Sequence, residues 1–472
     1  MCSSGLRSPI DMSVWLPTVS LHSLVIVISV LAYILTTRAQ RERRPPSIAI
    51  AWVLGMIALP YLVLPMYLMF GRRKLPRRTL PRSAVRSFAG HWAQDLIESF
   101  GLPGASPAAI NMHRDGRDSA DALFSVMSSA VSRLDICTYI LGDDAFGREA
   151  MQRMVERARC GVDVRLLLDG VGAIQLPRVC FKSLELGGVE TAIFSPLLAR
   201  RTQGPRNLRN HRKMVIADGA HLWAGGRNLA AEYFFGTAGA PAWRDLTFDL
   251  RGPAADAAAA QFELDWVAAG GRPASADAAA VAGTVIAGTA SQSGASEAQF
   301  LPSGPDQSED TVHALLIDAC FQARDRMLAV TPYFVPDVSL ETAMRLAARR
   351  GVRVDLVIPA SSNHRLADFA RSRALRSLSQ AGVNVHLMPY MSHAKAVVFD
   401  HSLALSGSVN LDSRSLLLNY ECAVVFYGRT EINWLAQWID AQIPETVPFN
   451  CSPPGLLRDL CEGLLLTVAY QL

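Results

Sequence analysis

The sequence is short of charge. Only 19% of its 472 residues are charged, below the ~25% usual in soluble domains, and mean hydropathy is +0.18. These values argue against a disordered chain and against a purely soluble one. Basic residues barely outnumber acidic ones, 46 against 42, for a net charge of +4. That field is too weak for a dedicated nucleic-acid binder, and no basic stripe interleaved with aromatics makes up for it. Nucleic acid is therefore not expected as a partner. Cysteine is sparse too, with eight scattered residues and no C-x-x-C pair. That spacing supports neither a disulfide framework nor a zinc site, and it suits a reducing compartment. No Cys/His/Asp cluster has metal-ligand spacing, so neither a metal nor a cofactor is called for.

Apolar residues are concentrated at the N-terminus. Residues 14–37 and 45–71 carry no Asp, Glu, Lys or Arg. At 1.5 Å per residue, about 24 residues are enough to cross a ~30 Å hydrocarbon core. Two transmembrane helices are expected, at about 14–37 and 47–70, within a membrane anchor of residues 1–75. A cleaved signal peptide fits less well, because the first run is long, lacks a small-residue cleavage site and is followed closely by the second. Arg72, Arg73, Lys74, Arg77, Arg78, Arg82 and Arg86 follow the second run. By the positive-inside rule they place the rest of the chain in the cytoplasm, although Arg38, Arg41, Arg43 and Arg44 between the runs pull the other way. The same cluster can hold anionic headgroups.

The remainder repeats itself. Gly161-Val-Asp-Val-Arg-Leu-Leu-Leu-Asp169 returns as Gly351-Val-Arg-Val-Asp-Leu-Val-Ile-Pro359. Arg133 to Tyr139 is echoed by Arg326 to Tyr333, and Gly188 to Phe194 by Gly382 to Met388. Short apolar runs alternate with helical patterns such as Val312, Leu315, Leu316 and Ala319, which indicates βα units and mostly parallel strands covered by helices. The expected architecture is α/β: two tandem α/β/α domains forming a pseudo-two-fold body behind the anchor. Their bounds are 76–267 and 299–445, joined by an Ala/Gly/Ser-rich connection at 268–298. An amphipathic tail occupies 446–472, packing on the domain surface or touching the membrane interface.

Both halves carry the same polar constellation. The first reads His211-Arg-Lys213 with Asp218, then Gly225-Gly226-Arg-Asn228. The second reads His393-Ala-Lys395 with Asp400, then Gly407-Ser408-Val-Asn410. In each copy the histidine precedes the asparagine by the same 17 positions (211 to 228 and 393 to 410). A lone His-x-Lys is a surface accident, but two copies at identical spacing in matching positions of a duplicated domain mark a paired active site. A β run over 213–217 would project His211 and Lys213 from one face.

The residue types suit phosphoryl chemistry. One neutral imidazole can attack phosphorus while its protonated partner donates to the leaving oxygen. Lys213, Lys395, Asn228 and Asn410 can stabilise charge on the non-bridging oxygens. Each histidine needs a carboxylate on its other nitrogen to fix tautomer and orientation. Glu421, which follows His393 within its own half, and Asp245, which follows His211, are the expected partners. Asp218 and Asp400 sit at odd spacing from the histidines, and capping a turn is the reading that spacing favours.

The duplicated H-x-K-x4-D with a trailing G-[GS]-x-N resembles the phospholipase D superfamily. Asn210-His-Arg-Lys213, Trp243-Arg-Asp245, Thr331-Pro-Tyr-Phe-Val-Pro336, Asn410-Leu-Asp-Ser-Arg-Ser415 and Asn419-Tyr-Glu421 are similar, within it, to bacterial cardiolipin synthases. The resemblance implies two phospholipase D-like domains and a catalytic set of His211, Lys213, Asp218, His393, Lys395 and Asp400. It implies transfer of a phosphatidyl group through a phosphohistidine, from one phosphatidylglycerol to a second. Anionic phospholipids are then the partners, and the bacterial inner membrane the location. By the same analogy His211 is the nucleophile and His393 the acid. Hydrolysis to phosphatidic acid is the alternative. By the same resemblance Tyr139, Asp144 and Gly147 belong to a recurrent family segment near the cleft, with core packing the other reading of Tyr139. One departure is Ser361-Ser-Asn-His364, where the family often has an acidic residue, and it bears on headgroup preference.

Overall fold

The computed structural model of the chain describes residues 16–40, 46–71, 90–196, 207–273 and 296–466. The chain divides into two units, residues 1–76 with 205–207, and the remainder.

The first unit holds α1 (Leu16–Gln40), α2 (Pro46–Ala58) and α3 (Pro60–Phe70). The second apolar run, expected as one helix over 47–70, is therefore two. Leu59 leaves helical geometry (φ −138°, ψ 59°) immediately before Pro60. Proline brings no N–H and crowds the residue ahead of it, so the helix has to restart. Among the described residues, no helix is long and apolar enough to cross a membrane. The interior of this unit is small: Tyr33, Met56 and Tyr67 are buried, and the Tyr67 hydroxyl pairs with Thr36 Oγ1 at 2.5 Å. Large apolar side chains such as Leu24, Val27, Leu54 and Leu62 face outward instead.

In the second unit, the first half runs α4 (Trp92–Ser99), β1 (Ser106–His113), α5 (Gly116–Ser129), β2 (Arg133–Thr138), α6 (Ala145–Arg159), β3 (Asp163–Asp169), α7 (Arg178–Leu186) and β4 (Glu190–Phe194). It continues with β5 (Met214–Ala217), β6 (His221–Gly225), β7 (Thr247–Arg251) and α8 (Pro253–Ala268). The second half runs β8 (Ser296–Ser303), α9 (Thr311–Gln322), β9 (Arg326–Val330), β10 (Phe334–Val335), α10 (Val338–Arg349), β11 (Arg353–Pro359), α11 (Arg365–Ala370), α12 (Ser372–Ala381) and β12 (Asn384–Met388). It ends with β13 (Ala396–Phe399), β14 (Leu403–Gly407), β15 (Leu411–Asp412), α13 (Ser413–Leu417), β16 (Glu421–Phe426), α14 (Arg429–Asp440), β17 (Val447–Pro448) and α15 (Leu456–Leu466). β8 thus begins inside the stretch expected as a connection, and residues 274–295 of that stretch lie outside the described residues.

Among the described residues the long strands form one continuous sheet in the order β17-β12-β11-β9-β13-β14-β16-β8-β1-β7-β6-β5-β2-β3-β4. Apart from the edge strand β17, the order reads the same from either end once each strand is exchanged for its repeat partner. The pseudo-two-fold runs through the seam between β1 and β8, which pair antiparallel with Pro107 opposite Glu297. β2, β3 and β4 are parallel, as are β9, β11 and β12, which is what the repeated βα units require. Their near-continuous apolar sequences follow from burial on both faces. In the first half Leu134, Leu166, Val215 and Trp223 pack beneath α5 and α6. On the opposite face Arg165 lies over the rings of Phe262 and Trp266 of α8, at 5.0 and 5.3 Å.

One buried side chain clasps the halves together. Arg212, fully buried, donates to the Asp265 carboxylate of α8 and, across the seam, to the carbonyl oxygens of Ser303 (3.1 Å) and Glu421 (2.9 Å) and to Asp306 (3.0 Å). Removing one partner of a buried charge network leaves the other charges uncompensated, at a cost of ~3–5 kcal/mol. Arg212→Met is expected to lower the melting temperature of the purified protein sharply, whereas Arg148→Met, at an exposed side chain paired with Asp143, should leave it nearly unchanged.

Candidate active site

His211, Arg212 and Lys213 lie just before β5, and His393 to Lys395 just before β13. Lys213 thus lies just before the strand, one residue outside the β run expected over 213–217. Each histidine-bearing segment runs alongside the carboxylate-bearing segment of the other half. The His211 amide donates to the Tyr420 carbonyl (2.8 Å), and the Tyr420 amide to that of Arg209 (2.9 Å). On the other side, the His393 amide donates to the Arg244 carbonyl (2.6 Å), and the Arg244 amide to that of Met391 (3.1 Å).

This backbone pairing decides which carboxylate serves which histidine. His211 Nδ1 lies 3.0 Å from Glu421 Oε1, and His393 Nδ1 lies 2.8 Å from Asp245 Oδ2. The expectation that each carboxylate would serve the histidine of its own half is corrected: the pairs are crossed. Within a half, β14 stands between the strand following His393 and the strand that Glu421 opens, so the in-half pair is kept apart. Both dyads belong to one site, since Lys395 acts on His211 and Lys213 on His393.

The lysines are held back on their own histidines. Lys213 Nζ donates to the His211 carbonyl at 2.9 Å, and Lys395 Nζ to the His393 carbonyl at 2.5 Å. Lys395 Nζ also lies 2.9 and 3.1 Å from the two ring nitrogens of His393. Burial first, and then Lys395, push His393 down to about 3, with Asp245 only partly offsetting them. Burial and Lys213 lower His211 against the pull of Glu421. Burial brings Lys395 down to about 7. Burial alone would raise both carboxylates, but His393 and Lys395 hold Asp245 below its ordinary range, and His211 and Lys213 do the same for Glu421. At rest the site therefore holds neutral imidazoles beside ionised carboxylates.

The two dyads are not identical. Ser408 Oγ donates to Glu421 Oε2, and the matching position in the first half is Gly226. A Cβ there would fall 2.1 Å from Asp245 Oδ1, so glycine is what lets Asp245 reach His393. Aromatic rings differ as well. Tyr139 meets the His211 ring edge-on at 4.9 Å, while Tyr233 (5.0 Å), Trp243 (5.7 Å) and Tyr333 (6.4 Å) surround His393.

Four expected site residues act elsewhere. Asp218 and Asp400, carried into the catalytic set by the motif, are corrected: each caps a turn at the far end of its strand from the lysine. Asp218 accepts the amides of Val131 (2.8 Å), Ser132 (2.7 Å) and Arg133 (2.8 Å). Asp400 accepts those of Arg324 (3.1 Å), Asp325 (2.9 Å) and Arg326 (2.9 Å). Both sit at positive φ, 51° and 50°, a conformation that aspartate tolerates better than most residues. Asn228 receives the Ile140 amide (3.3 Å) and donates to the Tyr233 hydroxyl (2.8 Å), so it braces a ring that packs on His393. Asn410 donates to Ser415 Oγ at 3.1 Å. Asp144 caps α6 through the Gly147 amide (2.9 Å) and holds the Ala231 amide (2.8 Å). Gly147 is packed so closely that a Cβ would lie 2.0 Å from the Gly142 carbonyl oxygen.

Two histidines with crossed carboxylates, His393 buried and His211 partly accessible, each beside a lysine, form a machine for phosphoryl or phosphatidyl transfer. Comparison with known proteins agrees. The family described as "Cardiolipin synthase, PLD-like domain" matches residues 123–239 and 316–443, and "Phospholipase_D-nuclease N-terminal" matches residues 25–72. Cardiolipin synthase A of Pseudomonas aeruginosa is 30% identical over 459 residues, covering 92% of both chains. The chain belongs to the phospholipase D-like cardiolipin synthase family. Cardiolipin synthase A of Pseudomonas putida, another member, is 30% identical over 406 residues, covering 81% of this chain and 83% of its own. The fold is shared with a phosphatidylserine synthase of Haemophilus influenzae, at a TM-score of 0.60 and 14% identity over 80% of this chain and 99% of that one.

For this family site, neutral buried histidines make stability depend on pH. The folded pKa of His393 lies below its ordinary 6.5, so from pH 6.5 downward the unfolded chain binds a proton that the native site refuses. Stability is lost as pH falls, by about 1.4 kcal/mol per unit for such a group. His393→Asn is expected to flatten the dependence of melting temperature on pH between 6.5 and 4, relative to the unsubstituted protein. Equal slopes in the two proteins would contradict the burial of a neutral imidazole.

Proposed function

We propose that this chain is a cardiolipin synthase that joins two phosphatidylglycerol molecules into cardiolipin and releases glycerol. The observation that carries the reading is the pair of crossed His–carboxylate dyads in one lysine-flanked cleft, in a chain collinear with a cardiolipin synthase over 92% of its length. One neutral imidazole attacks the phosphorus of the first lipid through Nε2, while the carboxylate on Nδ1 stabilises the positive charge that develops on the ring. The P–O bond to glycerol breaks, and the second histidine, which takes up a proton on Nε2 from solvent once the anionic phosphodiester lies beside it, supplies that proton to the leaving oxygen. Lys213 and Lys395 stabilise charge on the non-bridging oxygens. The free hydroxyl of a second phosphatidylglycerol then enters, gives its proton back to the second histidine, and displaces the first from phosphorus.

We assign the attack to His211 on the family resemblance. One observation favours the reverse: Lys395 Nζ against the His393 ring keeps that imidazole in the neutral, nucleophilic form. Mass-spectrometric mapping of a trapped adduct from a nitrophenyl phosphodiester, whose leaving group needs no proton, decides between them.

We place the protein at the bacterial inner membrane, anchored through residues 16–71 with the catalytic halves on the cytoplasmic side. What supports an anchor is the inside-out character of the first unit, with Tyr33 and Tyr67 inside and leucines outside. Nucleic acid is not part of this reading.

Purified full-length protein given labelled phosphatidylglycerol should form cardiolipin and glycerol in equal amounts, and His211→Ala or His393→Ala should each slow this by at least ~10²–10⁴-fold. Phosphatidic acid as the main product would make it a hydrolase instead. A rate that rises only when phosphatidylethanolamine is added would identify that lipid as the donor.

A further inference from the structure

In each half a surface element, here called a lip, is separated from the histidine by a single tyrosine. In the first half the lip is the 3-10 turn Gly172–Gln175 and the start of α7. Gly172 lies so close beneath Tyr139 that a Cβ would fall 1.5 Å from the Tyr139 carbonyl oxygen, and Tyr139 is the ring that meets His211. In the second half the lip is α11. Its leading residues hold Tyr333, whose hydroxyl donates to Asn363 Oδ1 at 2.6 Å and whose ring meets that of His364 at 5.6 Å. Tyr333 in turn faces His393.

α15 extends this second lip. It packs against α11, and its buried Glu462 pairs with Arg376 of α12. It lies beyond the residues that the family description matches, which stop at 443. Although its polar anchor is buried, Leu456 and Leu457 are 79% and 77% exposed. Leu366 of α11 is 57% exposed. On the opposite lip, Ile174 and Val179 are 67% and 72% exposed. Large apolar side chains therefore stand in solvent on both lips, as others of this unit do elsewhere, such as Val131, Leu264 and Val338; Ile174 and Val179 follow β3 as Leu366 follows β11, whereas α15 has no counterpart in the first half. Arginine accompanies them: Arg178 on the first lip, and Arg365 and Arg373 on the second, all exposed, while the exposed Arg458 of α15 pairs with Glu462 at 3.0 Å.

We propose that these two lips form the surface that seats the catalytic cleft on an anionic phospholipid bilayer, with the leucines and isoleucine entering the acyl boundary and the arginines meeting lipid phosphates. The inference rests on the reading of the substrate as a two-chain phospholipid. Apolar residues beside arginine are the composition an anionic interface attracts. A protein seated across both lips would close the mouth through which substrate enters, whereas a bilayer supplies the substrate there. Two lipids can then meet the histidines without either chain pair leaving the hydrocarbon phase.

The test uses the full chain in proteoliposomes, where the N-terminal segment is present in every variant. Turnover of long-chain phosphatidylglycerol diluted in phosphatidylcholine is compared with turnover of dihexanoyl phosphatidylglycerol, which is soluble as a monomer. Leu456→Asp combined with Leu457→Asp should lower the long-chain rate roughly tenfold or more while leaving the short-chain rate unchanged. Ile174→Asp, on the other lip, should shift the ratio of the two rates in the same direction. An unchanged ratio overturns the proposal. So does an equal loss on both substrates, which would mean that α15 only supports the fold. So does conversion of a dimer to a monomer with the ratio intact, which would mean that a second copy covers the leucines. The ratio is read whichever product forms: phosphatidic acid in place of cardiolipin would defeat the transferase reading and still leave the lip proposal decided.

Discussion

The backbone bridges that lay each histidine segment against the opposite half are what the rest of the site depends on. The two amide–carbonyl pairs at Asn210–Tyr420 and Arg244–Ser392 place His211 on Glu421 and His393 on Asp245. Neither half alone contains a complete histidine–carboxylate dyad. Duplication here has produced one site that needs both copies, in place of two sites side by side. The continuous sheet through β1 and β8 fixes the copies in register, and Arg212 locks the same seam from below.

Such a site is costly to fold. Two lysines and two histidines lie in the interior with Asp245 and Glu421 as their counter-charges, and burial still lowers the pKa of all four. The surrounding α/β layers, with their uninterrupted apolar strands, supply the burial free energy that offsets this. What the enzyme gains is electrostatic preorganisation. The ammonium groups are already in place, bound to the histidine carbonyls, before an anionic phosphodiester arrives, so little reorganisation is left for the reaction itself. The arriving phosphodiester adds a negative charge to the cleft, which favours protonation of the second histidine.

Much of this was legible in the sequence because it is periodic. The repeat of 161–169 at 351–359 and the equal spacing of the two His-x-Lys motifs announce a duplicated α/β body and a paired site. What sequence spacing could not report is partnership across the two-fold. Glu421 follows His393, and Asp245 follows His211, in the same order, so in-half and crossed pairing look alike in one dimension. Only the strand order, with β14 intervening, separates them. Asp218 and Asp400 illustrate the opposite case: their offset from the histidine pointed to a turn while the motif pulled them into the catalytic set. The break at Leu59 was signalled by Pro60, inside a run whose apolar composition suggested one helix. The inequality of the dyads was visible as Gly226 against Ser408, a difference that acquires meaning only once Ser408 is seen against Glu421.

Crossed dyads are tested most directly by timing the covalent step. In single-turnover reactions with a nitrophenyl phosphodiester, the rate of adduct formation is measured for Glu421→Gln and for Asp245→Asn, and the adduct is mapped to its histidine. If it forms on His211, the crossed arrangement requires Glu421→Gln to slow it by roughly 10²-fold or more and Asp245→Asn to leave it near the unsubstituted rate; if it forms on His393, the two variants exchange roles. An adduct whose rate follows the carboxylate of its own half would contradict the account.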